Sequence, residues 1–181
     1  MLRKIVVLVL FLSIPVLSQT QKPQEAESIL KTAINQAKLD NKNVFVIFHA
    51  SWCGWCKRLD KAISSDELKK IFENNFIIAH LDVLEREEKI AEFENPGGRE
   101  IMKEFGGEKS GLPYYVFLDS KGNKIADSNV MTENSNIGYP GAPVEIDAFI
   151  KIVKKSGKNL TKENLEKIGK YLTDNAPKPK G

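Results

Sequence analysis

Trp52-Cys53-Gly54-Trp55-Cys56-Lys57 follows closely on the apolar run Val44-Phe45-Val46-Ile47-Phe48 and holds the only two cysteines of the chain. A run with no polar face suits a strand buried on both sides, so 44–48 is expected to be central in a sheet. Two cysteines three positions apart at a helix start keep their Cα atoms within the roughly 4.4–6.8 Å that a disulfide needs, so the pair can close and open without moving the fold. A helix N-terminus also carries unpaired N–H groups and partial positive charge, which favour thiolate over thiol at Cys53. A free thiol of pKa about 8.5 is about 3% thiolate at pH 7, whereas one tuned to about 7 is roughly half ionised, and the thiolate is the attacking species. The competing reading is a structural staple, but so short a loop constrains the unfolded chain little. The pair therefore reads as redox chemistry.

Toward the N-terminus, Arg3 and Lys4 precede the apolar stretch from Ile5 to Leu17, and the polar run Gln19-Thr20-Gln21-Lys22-Pro23 follows. The stretch is shorter than the about 20 residues that span a bilayer, so residues 1–18 are expected to be a signal peptide cleaved after Ser18. No cysteine follows it to take a lipid, and the terminal Lys178-Pro179-Lys180-Gly181 is no retention signal. Residues 19–175 then form one domain with a core large enough to stand alone, and 176–181, too polar and Pro-rich to pack, a disordered tail. Removing Arg3 and Lys4 from 27 basic residues leaves 25 against 24 acidic, so the net charge falls from +3 to +1. That balance argues against nucleic acid or an anionic surface as partner.

Along the domain, strand and helix signals alternate in an α/β manner. Ala26, Ile29, Leu30, Ala33, Ile34 and Ala37 recur at helical spacing until Asn41-Lys42-Asn43 breaks the pattern. A helix over 53–62 follows the cysteine motif, and Ser64 with Glu67 offers a capping box for another through Leu68, Ile71 and Phe72. Phe76 to Leu81 reads as a second strand, parallel to the first by the right-handed crossover rule. Glu87 to Phe105 reads as two helical pieces parted by Asn95-Pro96-Gly97-Gly98. Tyr114–Leu118 and Lys124–Ser128 form a hairpin, 129–143 is a loop, and two amphipathic helices close the chain.

This order resembles the thioredoxin superfamily: strand, Trp-Cys-x-x-Cys-Lys at a helix start, strand, helix, then a Pro-led hairpin and closing helix, matched over residues 44–155. The resemblance implies a thioredoxin-like fold with a central mixed β-sheet flanked by helices, plus an extra N-terminal helix, an inserted helical segment over 94–110 and a C-terminal helical extension. It also implies that Leu112-Pro113 is the family's cis-proline step; an arbitrary X-Pro bond is cis only about 5–6% of the time. On the same basis Cys53 is the nucleophile and Cys56 the resolving thiol. Trp52, Gly54, Trp55, Leu112 and Pro113 then border the substrate. Trp52 as an ordinary half-buried aromatic and Leu112-Pro113 as a plain loop turn are the structural alternatives.

Three departures bear on mechanism. The buried acid that compact members carry six residues before the first cysteine is Ile47 here, and its partner lysine is replaced by His80. Proton transfer then falls to His49, at the end of the first strand, or to His80, although a strand histidine also serves in packing. Gly54-Trp55 between the cysteines matches neither the Gly-Pro of strong reductants nor the Pro-His or Gly-His of oxidants and isomerases, which leaves direction open.

The expectation is an exported, monomeric thiol-disulfide oxidoreductase that uses no cofactor beyond its own cysteines. It works on protein substrates bearing disulfides or thiols, in the reducing direction, supplied by a membrane electron donor. The compartment is the bacterial periplasm, or the secretory route if the source is not bacterial. Oxidation or isomerisation by the same fold is the alternative within the class. Outside it stand a soft-metal module using Cys53, Cys56 and His49, and a non-catalytic peptide-binding surface.

Overall fold

The computed structural model describes residues 22–177. The signal peptide expected over 1–18, and the tail from Lys178 to Gly181, lie outside the described residues. Ala176 and Pro177, at the start of that tail, are half-buried.

The sheet is built around β1 (Asn43–His49), whose residues are buried through Phe48. It pairs parallel with β2 (Phe76–Asp82) and antiparallel with β3 (Tyr114–Leu118), and β4 (Lys124–Asp127) completes the order β2-β1-β3-β4. The run without a polar face is thus an inner strand, covered by helices on both sides.

Strand alternation divides the core. Val44, Val46 and Phe48 meet Ala26, Ala33 and Ala37 of α1 (Ala26–Leu39) and Met102 of α5 (Gly98–Glu104). Phe45 and Ile47 face the other layer, which holds α2 (Gly54–Ile63), α3 (Lys69–Asn75), α6 (Pro143–Ser156) and α7 (Lys162–Asp174). There Phe45 stacks on Phe117 with ring centroids 4.4 Å apart, and Phe72, Phe76 and Tyr115 surround it. Each such side chain contributes about 1.5–3 kcal/mol by leaving water. The mixed sheet, the N-terminal helix, the helical insertion and the C-terminal extension all match expectation, with α5 inside the 94–110 segment and the short α4 (Ile90–Phe93) just ahead of it.

The capping box is a correction. Ser64 Oγ donates to the Asp60 carbonyl at 2.6 Å and closes α2, while α3 starts at Lys69 with no side-chain cap. Leu68, 1% exposed, occupies the N-cap position instead. Burying a leucine is worth about 1.5–3 kcal/mol and a cap typically about 1, so the core claims the position. The β3–β4 turn follows its local chemistry: Asp119 Oδ1 accepts from the Lys121 and Asn123 N–H groups, and Gly122 takes φ 89°.

Candidate active site

β1 ends at His49, and the chain turns through Ala50-Ser51-Trp52 so that the Cys53 N–H donates to the Ala50 carbonyl at 3.0 Å. Cys53 is the N-cap of α2, its Sγ accepting from the Cys56 N–H at 3.1 Å. The two cysteines are joined as a disulfide with Cα atoms 5.3 Å apart. Cys53 is 3% exposed and Cys56 fully buried, so the order of exposure is as expected although both are largely covered. What covers them is Ala50 and Leu112. The Leu112-Pro113 bond is cis, and Pro113 is buried beside Tyr114.

The flanking tryptophans are each 47% exposed and differ in role. Trp52 Nε1 donates to the Leu84 carbonyl at 2.9 Å, which turns its ring toward the loop after β2. Trp55 stacks on Tyr139 at 6.0 Å, and the Arg58 guanidinium lies 5.1 Å from the Tyr139 ring and 5.9 Å from Trp55. Gly54 between the cysteines faces open space. Trp55, Leu112, Ile137, Tyr139, Pro143 and Pro177 border a cleft of about 550 Å³.

Ile47 sits fully buried among apolar neighbours, so no carboxylate occupies that position. Parallel register instead sets Ile47 beside His80 and His49 beside Asp82, all on the face that α2 covers. Asp60, one turn beyond Cys56 on α2, pairs with His80 Nε2 at 2.9 Å. The two imidazoles lie 5.0 Å apart, and His49 Nε2 is 3.4 Å from Asp82 Oδ1 without a hydrogen bond among the described residues. Burial lowers the His49 pKa below its ordinary 6.5, against the attraction of Asp82. Burial likewise raises that of Asp82 above 3.8, opposed by His49.

A further carboxylate borders the site. Glu85, 5% exposed, accepts from both the backbone N–H and the hydroxyl of Ser51, the latter at 2.8 Å. Its own N–H donates to Glu94 Oε2 at 2.9 Å, and Arg99 Nη2 holds Glu94 at 2.8 Å, which with burial opposing leaves the Glu94 pKa lowered.

The structure therefore brings together Trp52, Cys53, Gly54, Trp55, Cys56, Leu112 and Pro113, and places His49 and His80 side by side beneath α2. Sequence reasoning did not single out Asp60 or Glu85, which the structure sets beside the histidine pair and Ser51. An acid one helical turn beyond the second cysteine was a visible signal for Asp60; Glu85 carried none. Among the described residues, no three His, Cys, Asp or Glu side chains are grouped to hold a metal, and no helix is long and apolar enough to cross a membrane.

Comparison with known proteins yields a match between residues 25–120 and the family model described as Thioredoxin-like. The chain is 33% identical over 94 residues to a protein disulfide-isomerase of Gallus gallus, covering 46% of this chain and 18% of that relative, so it spans less than a fifth of the relative's length. Solved structures of similar shape include the disulphide isomerase of Xylella fastidiosa Temecula1, with 22% identity, TM-score 0.48, 56% of this chain and 72% of that chain covered. Another is a DsbH oxidoreductase, with 20% identity, TM-score 0.45 and coverage of 82% and 95%. A third is the oxidised C-terminal domain of DsbD from Neisseria meningitidis, with 21% identity, TM-score 0.43 and coverage of 58% and 84%.

Proposed function

The chain belongs to the thioredoxin-like family, and from that premise we propose that it is a thiol-disulfide oxidoreductase that reduces disulfides of exported proteins at Cys53 and Cys56. The observation that carries the reading is the Cys53–Cys56 disulfide at the α2 N-terminus, with Leu112 of the cis-proline step packed against it. In the reduced protein the Cys53 thiolate attacks one sulfur of a substrate disulfide. A mixed disulfide forms, and the other substrate sulfur leaves as a thiolate that takes a proton. Cys56 then loses its proton and attacks Cys53 Sγ, and the second substrate thiolate departs. Two electrons and two protons pass to the substrate, and Cys53–Cys56 is left in its disulfide form. A membrane electron donor returns the pair to the dithiol.

Leu112-Pro113, Trp52, Gly54 and Trp55 are the walls against which an extended substrate segment lies. The Cys56 proton goes to the histidine pair: His49, held neutral above its lowered pKa, and His80, oriented by Asp60. No carboxylate at position 47 competes for the role. The working unit is residues 19–175, consistent with α6 and α7 sharing one core with the sheet. Export by the N-terminal apolar stretch and action in the periplasm as a monomer complete the reading. Reduction is the direction favoured because an export compartment already oxidises thiols, so a dithiol of this kind is better placed there to supply reducing equivalents. Isomerisation is a second reading, favoured by the disulfide-isomerase relative.

The test is insulin reduction by dithiothreitol with the mature protein. Wild type accelerates it, and Cys53→Ser abolishes the acceleration. A Cys53→Ser variant as active as wild type overturns the reading. Reactivation of scrambled ribonuclease without net reduction selects isomerisation.

A further inference from the structure

α2 presents two flanks of different charge beside the cysteine pair. Asp60 lies on one, and the nearby carboxylates are committed there: Asp60 to His80, Asp82 beside His49, and Glu85 to Ser51. On the other flank, Lys57, Arg58 and Lys61 line a depression of about 480 Å³ together with Gly54, Tyr139 and Tyr171. No carboxylate lines it, and among the described residues none of these three cations is ion-paired, whereas Lys170 and Asp174 of the neighbouring α7 pair with each other at 2.6 Å.

Arg58 is set in place rather than loose. Its Nη2 donates to the Asn175 carbonyl at 2.6 Å, and its guanidinium lies over Tyr139, which stacks on Trp55. A guanidinium has five N–H donors, so those not bonded to Asn175 are free for a carboxylate, and holding the side chain in advance reduces the entropy lost on binding. The basic depression thus lies on one side of the aromatic stack. The apolar cleft of Trp55, Leu112, Ile137 and Pro177 lies on the other, with Glu145 at its border held by the Gly141 and Ala142 N–H groups.

We propose that the Lys57–Arg58–Lys61 face and the adjoining Trp55–Tyr139 cleft form a docking surface for an extended polypeptide that carries acidic residues on one side of its cysteine and a bulky apolar residue on the other. The inference rests on the disulfide exchange proposed above and adds the class of substrate. Charge complementarity is its basis, together with continuity between the basic face and Gly54 at the redox centre. Opposed charges of this kind act chiefly on the encounter rate and are screened by salt.

The experiment uses pre-reduced mature protein and three oxidants: two disulfide-linked peptides identical except for Asp and Glu against Lys and Arg beside the cysteine, and neutral hydroxyethyl disulfide. At low ionic strength the acidic peptide is expected to react about tenfold faster than the basic one, and the ratio to approach one in high salt. Arg58→Glu and the more exposed Lys61→Glu are each expected to bring the ratio near or below one. Equal rates for the two peptides, with hydroxyethyl disulfide still reduced, overturn the docking proposal alone. Failure to reduce hydroxyethyl disulfide overturns the exchange chemistry and the docking proposal with it.

Discussion

The Glu85 carboxylate, almost fully buried, accepts from both the N–H and the hydroxyl of Ser51, two residues ahead of Cys53. It therefore fixes the approach to α2 and sets a carboxylate on the segment that leads into Cys53, the proposed nucleophile. Glu85→Gln keeps the shape and, through its one amide oxygen, the bond from the Ser51 N–H, while its NH2 donates to Ser51 Oγ in place of the bond Glu85 accepted, and it removes the charge. The pH at which Cys53 of the reduced protein is half alkylated by iodoacetamide is expected to fall by about half a unit, on the order of 0.7 kcal/mol. A midpoint that stays in place assigns Glu85 a purely structural role.

His80 and Asp60 join β2 to α2 at 2.9 Å, one helical turn beyond Cys56. If this pair and His49 take the Cys56 proton, His80→Gln and His49→Gln each slow release of the mixed disulfide. The loss is expected to be on the order of tenfold or more at pH 7 and smaller at high pH, where solvent base takes over. Rapid-quench measurement of the mixed disulfide between pH 6 and 9 reads this directly. Unchanged release across that range removes the histidines from the mechanism.

Stability should respond to His49 with a definite sign. Its folded pKa lies below 6.5, so as pH falls through 6.5 the unfolded chain binds a proton that the native state refuses. Stability is then lost on acidification, down to the folded pKa. Asp82 acts oppositely and at lower pH: with its folded pKa raised above 3.8, the native state binds the extra proton, which favours folding as acid is added there. Urea midpoints of wild type are expected to fall between pH 7.5 and pH 5.5, and those of His49→Gln to fall less. Equal slopes contradict the assignment.

Trp55 and Tyr139 stack across 84 residues of sequence at 6.0 Å, with Arg58 against both. A double-mutant cycle of Trp55→Ala and Tyr139→Ala is expected to give a coupling of about 0.5–1.5 kcal/mol in chemical denaturation. Additive losses deny the stack any energetic role.

What the chain discloses about itself follows the range of the forces involved. β1 and the cysteine pair are written in local pattern: an apolar run, then two thiols at a spacing that only a helix start makes useful. Pro113 was legible through its place before the hairpin, and the cis bond came from family resemblance rather than from the dipeptide. The Ser64–Glu67 cap was misread because local propensity was weighed without the core that buries Leu68. Asp60 with His80, Glu85 with Ser51 and Arg58 with Asn175 join residues 20, 34 and 117 positions apart, so no window of sequence holds both partners. His49 and His80 were visible singly, and their adjacency came only with the β1–β2 register.

The most direct measurement is the equilibrium between the Cys53–Cys56 dithiol and disulfide in the mature protein, followed by Trp52 and Trp55 fluorescence across dithiothreitol and glutathione buffers. A reductase at this site predicts a single reversible two-electron transition near the about −270 mV of thioredoxin. A transition near the about −120 mV of DsbA would make the pair a disulfide donor, and no transition in any buffer would contradict a redox role altogether.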